Sequence, residues 1–344
     1  MINLNCWNKW DPLQDVILGC SVNPNYFEYV KNTEIKDKLT KILTETQEDM
    51  DAFADVLRQH NVNVIQEKYD PSLRLDPDKK ADRGHMISLY PRDRAAVLGN
   101  QFIFDNIYTA RSMHKYIDKP ITESRHEPWA KLMKLNKKLY TLNAPCWTIV
   151  GTDLFIDARD MYEGSKIKEK IINWVEQYVP NTKVHWLDIG GHNDGCFHTC
   201  KPGVIVSLND IQTYEQTFPG WDVLYLPEEQ WQDGLTEWSQ VKRENHGKWW
   251  IPGEEKNKAM SSFINTWLDE WLGYVEETVF DVNMLMINEH TACVTGYHKE
   301  VFDYFEKHKI EPIIVPLRHR YFWDGGLHCL SLDVNRSGEQ QSYI

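Results

Sequence analysis

The sequence predicts an α/β fold in which a unit of strand, strand, helix and strand recurs about five times around a central site. Three observations carry that expectation. β-Hairpins recur along the chain, at 95–104, 147–156 and 283–294. Amphipathic helical segments follow hairpins at 166–178 and 301–308, and each leads into another short apolar strand. The unit ends carry Asp93, Asn143, His192, Asp194 and Cys329. A radial array would bring those five side chains together, although the units share no clear repeat in residue identity.

Taken in order, Trp10 to Asp15 is a turn and Val16-Ile17-Leu18-Gly19 a strand. Leu39, Ile42, Leu43, Met50, Phe53 and Leu57 fall near helical spacing, which predicts a helix from about Glu34 to His60. Asn61 closes it, and Val62 to Ile65 reads as a strand. Tyr69 to Arg83 is rich in Asp, Pro and Lys and reads as a loop. Ala95–Leu98 and Gln101–Phe104 form a hairpin about Gly99-Asn100, with Asp93 at its mouth. Trp147–Val150 and Leu154–Ile156 form the next, followed by a helix to Tyr178 and a strand over Lys183–Leu187. Gly190-Gly191-His192-Asn193-Asp194-Gly195 is a glycine-rich turn, and strands are expected at 203–208 and 221–226. Residues 228–275 form a polar insertion dense in Trp, Glu and Lys, with a helix from Lys258 to Leu272. The insertion reads as a flap or an oligomer contact, a homodimer being the oligomer in view. Asn283–Ile287 and Ala292–Val294 make another hairpin, and Pro312–Leu317 and Leu330–Val334 read as the last strands.

Composition narrows the function. With 42% hydrophobic and 26% charged residues, the 344-residue chain can bury a large core. A formal charge of −13 argues against nucleic acid or an anionic membrane as partner, and leaves a cationic small molecule open. The chain shows no secretory pattern and no apolar run long enough to span a bilayer. Its seven Cys are scattered and odd in number, so free thiols in a reducing, cytoplasmic setting are expected. Cys196 and Cys200, with His198 between them and His192 upstream, suggest zinc superficially, but their spacing is not a paired ligand ladder. No metal and no cofactor is expected.

The stretch Asp324-Gly325-Gly326-Leu327-His328-Cys329-Leu330-Ser331 is where chemistry concentrates. Cys329 after two glycines, at a strand entrance, is either a nucleophile with a base nearby or a small buried hydrophobe after a turn. Asp93 is either a site carboxylate or a turn residue paired with Arg92 or Arg94. These residues, together with Asn8-Lys9-Trp10-Asp11-Pro12-Leu13-Gln14-Asp15-Val16-Ile17-Leu18-Gly19, Pro91-Arg92-Asp93, His192-Asn193-Asp194 and the ending Gln341-Ser342-Tyr343, resemble a known pattern. They are similar to the motifs N-E-W-D-P-L-E-E-V-I-V-G, P-R-D, H-x-D and G-G-F-H-C of the glycine amidinotransferase and inosamine-phosphate amidinotransferase family, in the pentein superfamily. The resemblance spans nearly the whole chain, so 1–344 is expected to be one domain.

The resemblance implies a five-bladed ββαβ propeller with a central active site. It implies Cys329 as nucleophile, His192 as acid-base, and Asp93 and Asp194 as the carboxylates that hold a guanidinium. Carboxylates pair bidentately with that planar cation, and its unreactive carbon needs a thiolate. The partners implied are a small guanidino donor and an amine acceptor. Two departures stand out. The family's triad Asp falls on Asn143, which can orient an imidazole without stabilising its charge. The family's carboxylate-binding Arg falls on Ile211, which leaves Arg318 or Arg320 as candidates for that role. A hydrolase of the same superfamily and a catalytically weak guanidino-binding protein are the competing readings.

Overall fold

The computed structural model describes residues 2–66, 89–104, 143–158, 165–189, 192–208, 213–226, 256–268, 282–323 and 325–344, with short pieces between them at 71–72, 74–76, 78, 122–123, 134–135, 138–139, 251 and 253–254. The strands are β1 (Leu13–Leu18), β2 (Asn63–Gln66), β3 (Ala95–Leu98), β4 (Gln101–Phe104), β5 (Thr122–Glu123), β6 (Lys134–Leu135), β7 (Lys138–Leu139), β8 (Trp147–Val150), β9 (Asp153–Asp157), β10 (Lys183–Leu187), β11 (Phe197–Lys201), β12 (Val204–Ser207), β13 (Asp222–Tyr225), β14 (Leu285–Asn288), β15 (Thr291–Val294), β16 (Glu311–Ile314) and β17 (Ser331–Arg336). The α-helices are α1 (Thr33–Gln59), α2 (Pro91–Arg94), α3 (Ser165–Tyr178), α4 (Asn193–Cys196), α5 (Tyr214–Thr217), α6 (Lys258–Trp267), α7 (Lys299–His308) and α8 (Arg320–Trp323).

Among the described residues the strands form five three-stranded sheets and one small hairpin. Every three-stranded sheet has one design, an antiparallel pair whose second strand is joined by a parallel third. The unit at the N-terminus lacks a hairpin partner in sequence. The last strand supplies it: β17 pairs antiparallel with β1, which in turn pairs parallel with β2. The two ends of the chain therefore complete one sheet.

The repeat hidden from residue identity shows in the turns. Asn61, Asn181 and Lys309 are the three non-glycine residues with positive φ among those described, and each stands two positions before a parallel strand, β2, β10 and β16. Gly220 holds the same place before β13. A left-handed residue ends a helix and swings the chain back along its sheet, so the backbone repeats where side chains do not.

Helices form where the apolar spacing predicts. In α1, Asn32 Oδ1 accepts from the Ile35 N–H (3.3 Å), and Ile35, Leu39, Ile42, Leu43, Met50, Phe53 and Leu57 are buried on one face. α3 lays Ile167, Ile171, Trp174 and Val175 onto β8 and β9, and α7 lays Val301, Tyr304 and Phe305 onto Ala292 and Val294 of β15. α6 ends at Trp267, short of Leu272, and most of 228–275 lies outside the described residues. The strand β11 was not expected, because Phe-His-Thr-Cys-Lys reads by composition as a ligand-like cluster. Pairing with β12 makes it a strand.

The motif at 8–15 closes the fold. Asn8 Oδ1 accepts from the N–H groups of Trp10 (3.1 Å) and Asp11 (2.7 Å), and Asn8 Nδ2 donates to the Tyr343 hydroxyl (3.3 Å). Trp10 packs edge-on against Tyr343 at 4.9 Å. The N-terminal motif and the chain's ending are thus one contact. None of the seven cysteines, all described, is in a disulfide. No helix among the described residues is long and apolar enough to cross a membrane.

Lys9 is the exception in this packing. It is 7% exposed, its Nζ has no hydrogen-bond partner among the described residues, and it lines a cavity of about 30 Å³ with Asn8, Arg92, Thr148 and Asp333. Burial pushes its ammonium down from 10.5 to about 8. Below pH 8 folded and unfolded chains both carry the charge, and the folded chain bears the cost of burying it. Between 8 and 10.5 the unfolded chain holds a proton that the folded chain has lost, so stability rises with pH there. Lys9→Met is expected to stabilise the protein at neutral pH by up to about 3 kcal/mol, with the gain fading as pH approaches about 10. Denaturant unfolding of both proteins at the two pH values checks this.

Candidate active site

Three short segments carry four of the five predicted residues, and they converge. α2, with Asp93, packs on the 3-10 turn Ala144–Cys146 and on β17; α4, with Asp194, packs on the same turn. Asn143 immediately precedes that turn, and His192 immediately precedes α4. Burial first, then the charges of Asp157, Asp194 and Asp93 among its neighbours, push the Cys146 thiol well above its ordinary range. That thiol therefore lies within the field of three carboxylates.

Cys329 and Asp194 meet directly. The Cys329 Sγ lies 3.5 Å from Asp194 Oδ2, and both residues are buried. The same oxygen accepts from His328 Nδ1 at 2.8 Å. Burial pushes the His328 imidazole down, with the charges of Arg92 and Lys9 adding to it, to about 3. Burial raises the Asp194 carboxyl, but the hydrogen bond from His328 and the nearby charges outweigh it, holding the carboxyl well below its ordinary range. The pair at neutral pH is an ionised carboxylate and a neutral imidazole. A carboxylate only accepts, so the His328 proton sits on Nδ1. Asp194 Oδ1 and His328 Nε2 have no hydrogen-bond partner among the described residues. His198, 0% exposed, stands edge-on to the His328 ring at 5.4 Å.

The turn that presents Cys329 is held from beneath. Arg92 Nε donates to the carbonyls of His328 and Ser331, both at 2.9 Å, and Arg92 Nη2 pairs with Asp333. Asp333 also accepts from Arg336 Nε (2.7 Å); Arg336, 1% exposed, donates on to the carbonyls of Asp11 (2.6 Å) and Met286 (2.9 Å). Arg92 is therefore committed to the Cys329 turn and Asp333, not to Asp93. The two glycines are not at positive φ, and close packing explains them instead. A Cβ at Gly326 would lie 2.6 Å from the Asn283 carbonyl oxygen, and one at Gly325 would lie 2.9 Å from the Tyr90 ring.

The remaining expectations resolve as follows. The Asn143 amide donates to Cys146 Sγ at 3.0 Å. His192 is half-buried, with extended backbone. Asp153 pairs with His185 Nε2 (2.6 Å), and Asp157 accepts from the Ile189 N–H (2.8 Å), so each supports its own sheet. Arg318 is engaged on α1 by Asp49, Glu48 and the Glu45 carbonyl at 2.7–2.8 Å, which argues against it as a carboxylate receptor. Ile211, Gly190 and Gly191 lie outside the described residues. Cys200 packs under Met284, and no group of three or more His, Cys, Asp or Glu among the described residues is arranged to hold a metal ion. His328 carried a motif letter but no role in the sequence. Asn283, which bonds Cys329, gave no local signal because 46 residues separate them.

Known proteins are similar to this chain along its length. The chain is 25% identical to the mitochondrial glycine amidinotransferase of Danio rerio, over 98% of this chain and 84% of that protein. It is 22% identical to inosamine-phosphate amidinotransferase 1 of Streptomyces glaucescens, over 98% of this chain and 97% of that one. The chain resembles the amidinotransferases. SxtG, an amidinotransferase of Microseira wollei, shares the fold with a TM-score of 0.65 at 18% identity, covering 99% of each chain. No protein-family model matches the chain.

Among the described residues of this network, Asp333 is the carboxylate between the buried Arg336 and the half-buried Arg92 guanidinium groups. Asp333→Asn is expected to cost about 3–5 kcal/mol, because it leaves those charges uncompensated. Urea unfolding at neutral pH measures the loss.

Proposed function

We propose that this chain is an amidinotransferase, moving an amidino group from a guanidino donor such as arginine to an amine acceptor through an amidino-thioether on Cys329. The observation that carries the reading is the buried thiol 3.5 Å from an ionised Asp194, in a chain similar along its length to amidinotransferases. The five sheets, in this reading, are blades of a propeller formed by one domain over 1–344, with the site at its centre. The setting is reducing and cytoplasmic, although the Danio rerio relative is named as mitochondrial.

The chemistry follows from the residue types. The donor's guanidinium pairs with Asp194 Oδ1 and with Asp93, each an anion facing a planar cation. The Cys329 thiolate attacks the guanidino carbon, a C–S bond forms, and the C–N bond to the departing amine breaks as His192 protonates that nitrogen. The amidino group then resides on sulfur. An incoming amine loses a proton to His192 and attacks the same carbon, and the C–S bond breaks to return the thiolate. Asn143 orients the imidazole without adding charge to it. Arg320 is the remaining basic candidate for a donor carboxylate.

The test is incubation with arginine and a panel of amines, read by mass spectrometry for ornithine, amidinated acceptor and a mass increase on Cys329. Cys329→Ala should abolish turnover in a folded protein; retained activity would overturn the mechanism. Citrulline in place of amidinated amine would make the protein a hydrolase. On the Cys329→Ala background, Asp93→Asn and Asp194→Asn should each weaken arginine binding by about tenfold or more, measured by calorimetry.

Asn143→Asp adds a negative charge to the site. If Asn143 stands beside His192, that charge favours the imidazolium and through it the thiolate. Iodoacetamide labelling of Cys329 near neutral pH should then quicken, with its pH midpoint shifted down. Identical profiles in wild type and variant would remove Asn143 from the triad.

A further inference from the structure

The nucleophile has a second partner, just before β14, that the motif pattern does not single out. Asn283 lies two residues before β14 and is 1% exposed. Its side chain takes Cys329 by both ends. Oδ1 accepts from the Cys329 backbone N–H at 2.9 Å, and Nδ2 donates to Cys329 Sγ at 2.9 Å. Nδ2 also donates to the Asp194 carbonyl at 3.2 Å, while the Asn283 carbonyl accepts from the His328 N–H at 3.2 Å. One residue thereby ties the Cys329 turn to the Asp194 turn, and the absence of a side chain at Gly326 lets it approach.

The donor at sulfur has a chemical consequence. Asp194 alone, a carboxylate 3.5 Å from Sγ, works against a thiolate by like charge. An amide N–H directed at the same sulfur favours the anion, because hydrogen bonds to the charged form stabilise that form. We infer that Asn283 positions Cys329 and stabilises its thiolate, both before attack and when sulfur departs in the second half of the reaction. The inference rests on the reading of Cys329 as the nucleophile.

The test does not require a guanidino substrate. Site-resolved iodoacetamide labelling of Cys329 is followed by mass spectrometry from about pH 5 to about pH 10 in wild type, Asn283→Ala and Asn283→Asp, with the half-buried Cys196 as internal reference. Loss of a hydrogen bond to a charged group should lower the labelling rate at neutral pH by about tenfold or more, with the pH midpoint shifted up. Asn283→Asp keeps the acceptor for the Cys329 N–H and nearly the same shape, so it serves if the alanine variant fails to fold. Mere loosening of the turn would expose the sulfur and quicken labelling at every pH. Profiles that superimpose on wild type, or faster labelling throughout, would overturn the inference. Slowed labelling in a protein without transferase activity would overturn the proposed reaction and leave Asn283 its role. Transfer with unchanged labelling would do the reverse.

Discussion

Asp333, buried between Arg92 and Arg336, is the interaction on which the rest of the site depends. Its carboxylate is held well below the ordinary range; burial opposes this, and the two guanidinium groups outweigh it. Through Arg92 it reaches the carbonyls of His328 and Ser331, on either side of Cys329. Through Arg336 it reaches the Asp11 carbonyl of the N-terminal motif and the Met286 carbonyl of β14. Buried ion pairs are poor sources of net stability, because desolvation cancels much of the attraction. Their value here is geometric. The guanidinium groups turn one carboxylate into a junction that ties four separated segments together, the turn of Cys329 among them.

A polar interior of this kind must satisfy or neutralise what it buries. His328 does so by staying neutral and donating a hydrogen bond from Nδ1 to Asp194. Lys9 does so incompletely. It stands where the motif N-E-W-D-P-L has Glu, so this chain places a cation where the resembled family places an anion, and its ammonium falls to about 8. With Asn143 also uncharged, the balance around Asp194 in this chain is more positive than the family pattern implies.

Five sheets of identical topology arise from segments that share little sequence. The shared features are mechanical: an antiparallel pair, a crossover, and, in four of the five, a residue in the left-handed region before the parallel strand. Asn61, Asn181, Gly220 and Lys309 fill that position with three residue types. Lys309 is the costly choice, since a long side chain has no intrinsic preference for that region. Helix α7 accepts it because the Ile310 N–H that follows closes onto the Phe305 carbonyl at 2.8 Å.

Much of this protein was legible in its sequence, because the signals are local. Hairpins at 95–104 and 147–157 and helices α1, α3 and α7 follow from apolar period and turn residues, and fall within one or two positions of the expected bounds. The candidate residues Asp93, Asn143, His192, Asp194 and Cys329 could be named from residue type and order alone, and the structure adds the direct contact of Cys329 with Asp194. What tertiary structure decided is what depends on distance between remote segments. β17 completes the sheet of β1, Arg92 turns from Asp93 to Asp333, Arg318 is spent on α1, and Asn283 grips Cys329. Each is a contact between residues far apart in the chain, whose chemistry is generic until folding fixes the separation. Hydrogen bonds and ion pairs act over a few ångströms, so their partners are chosen by packing rather than by neighbours in sequence.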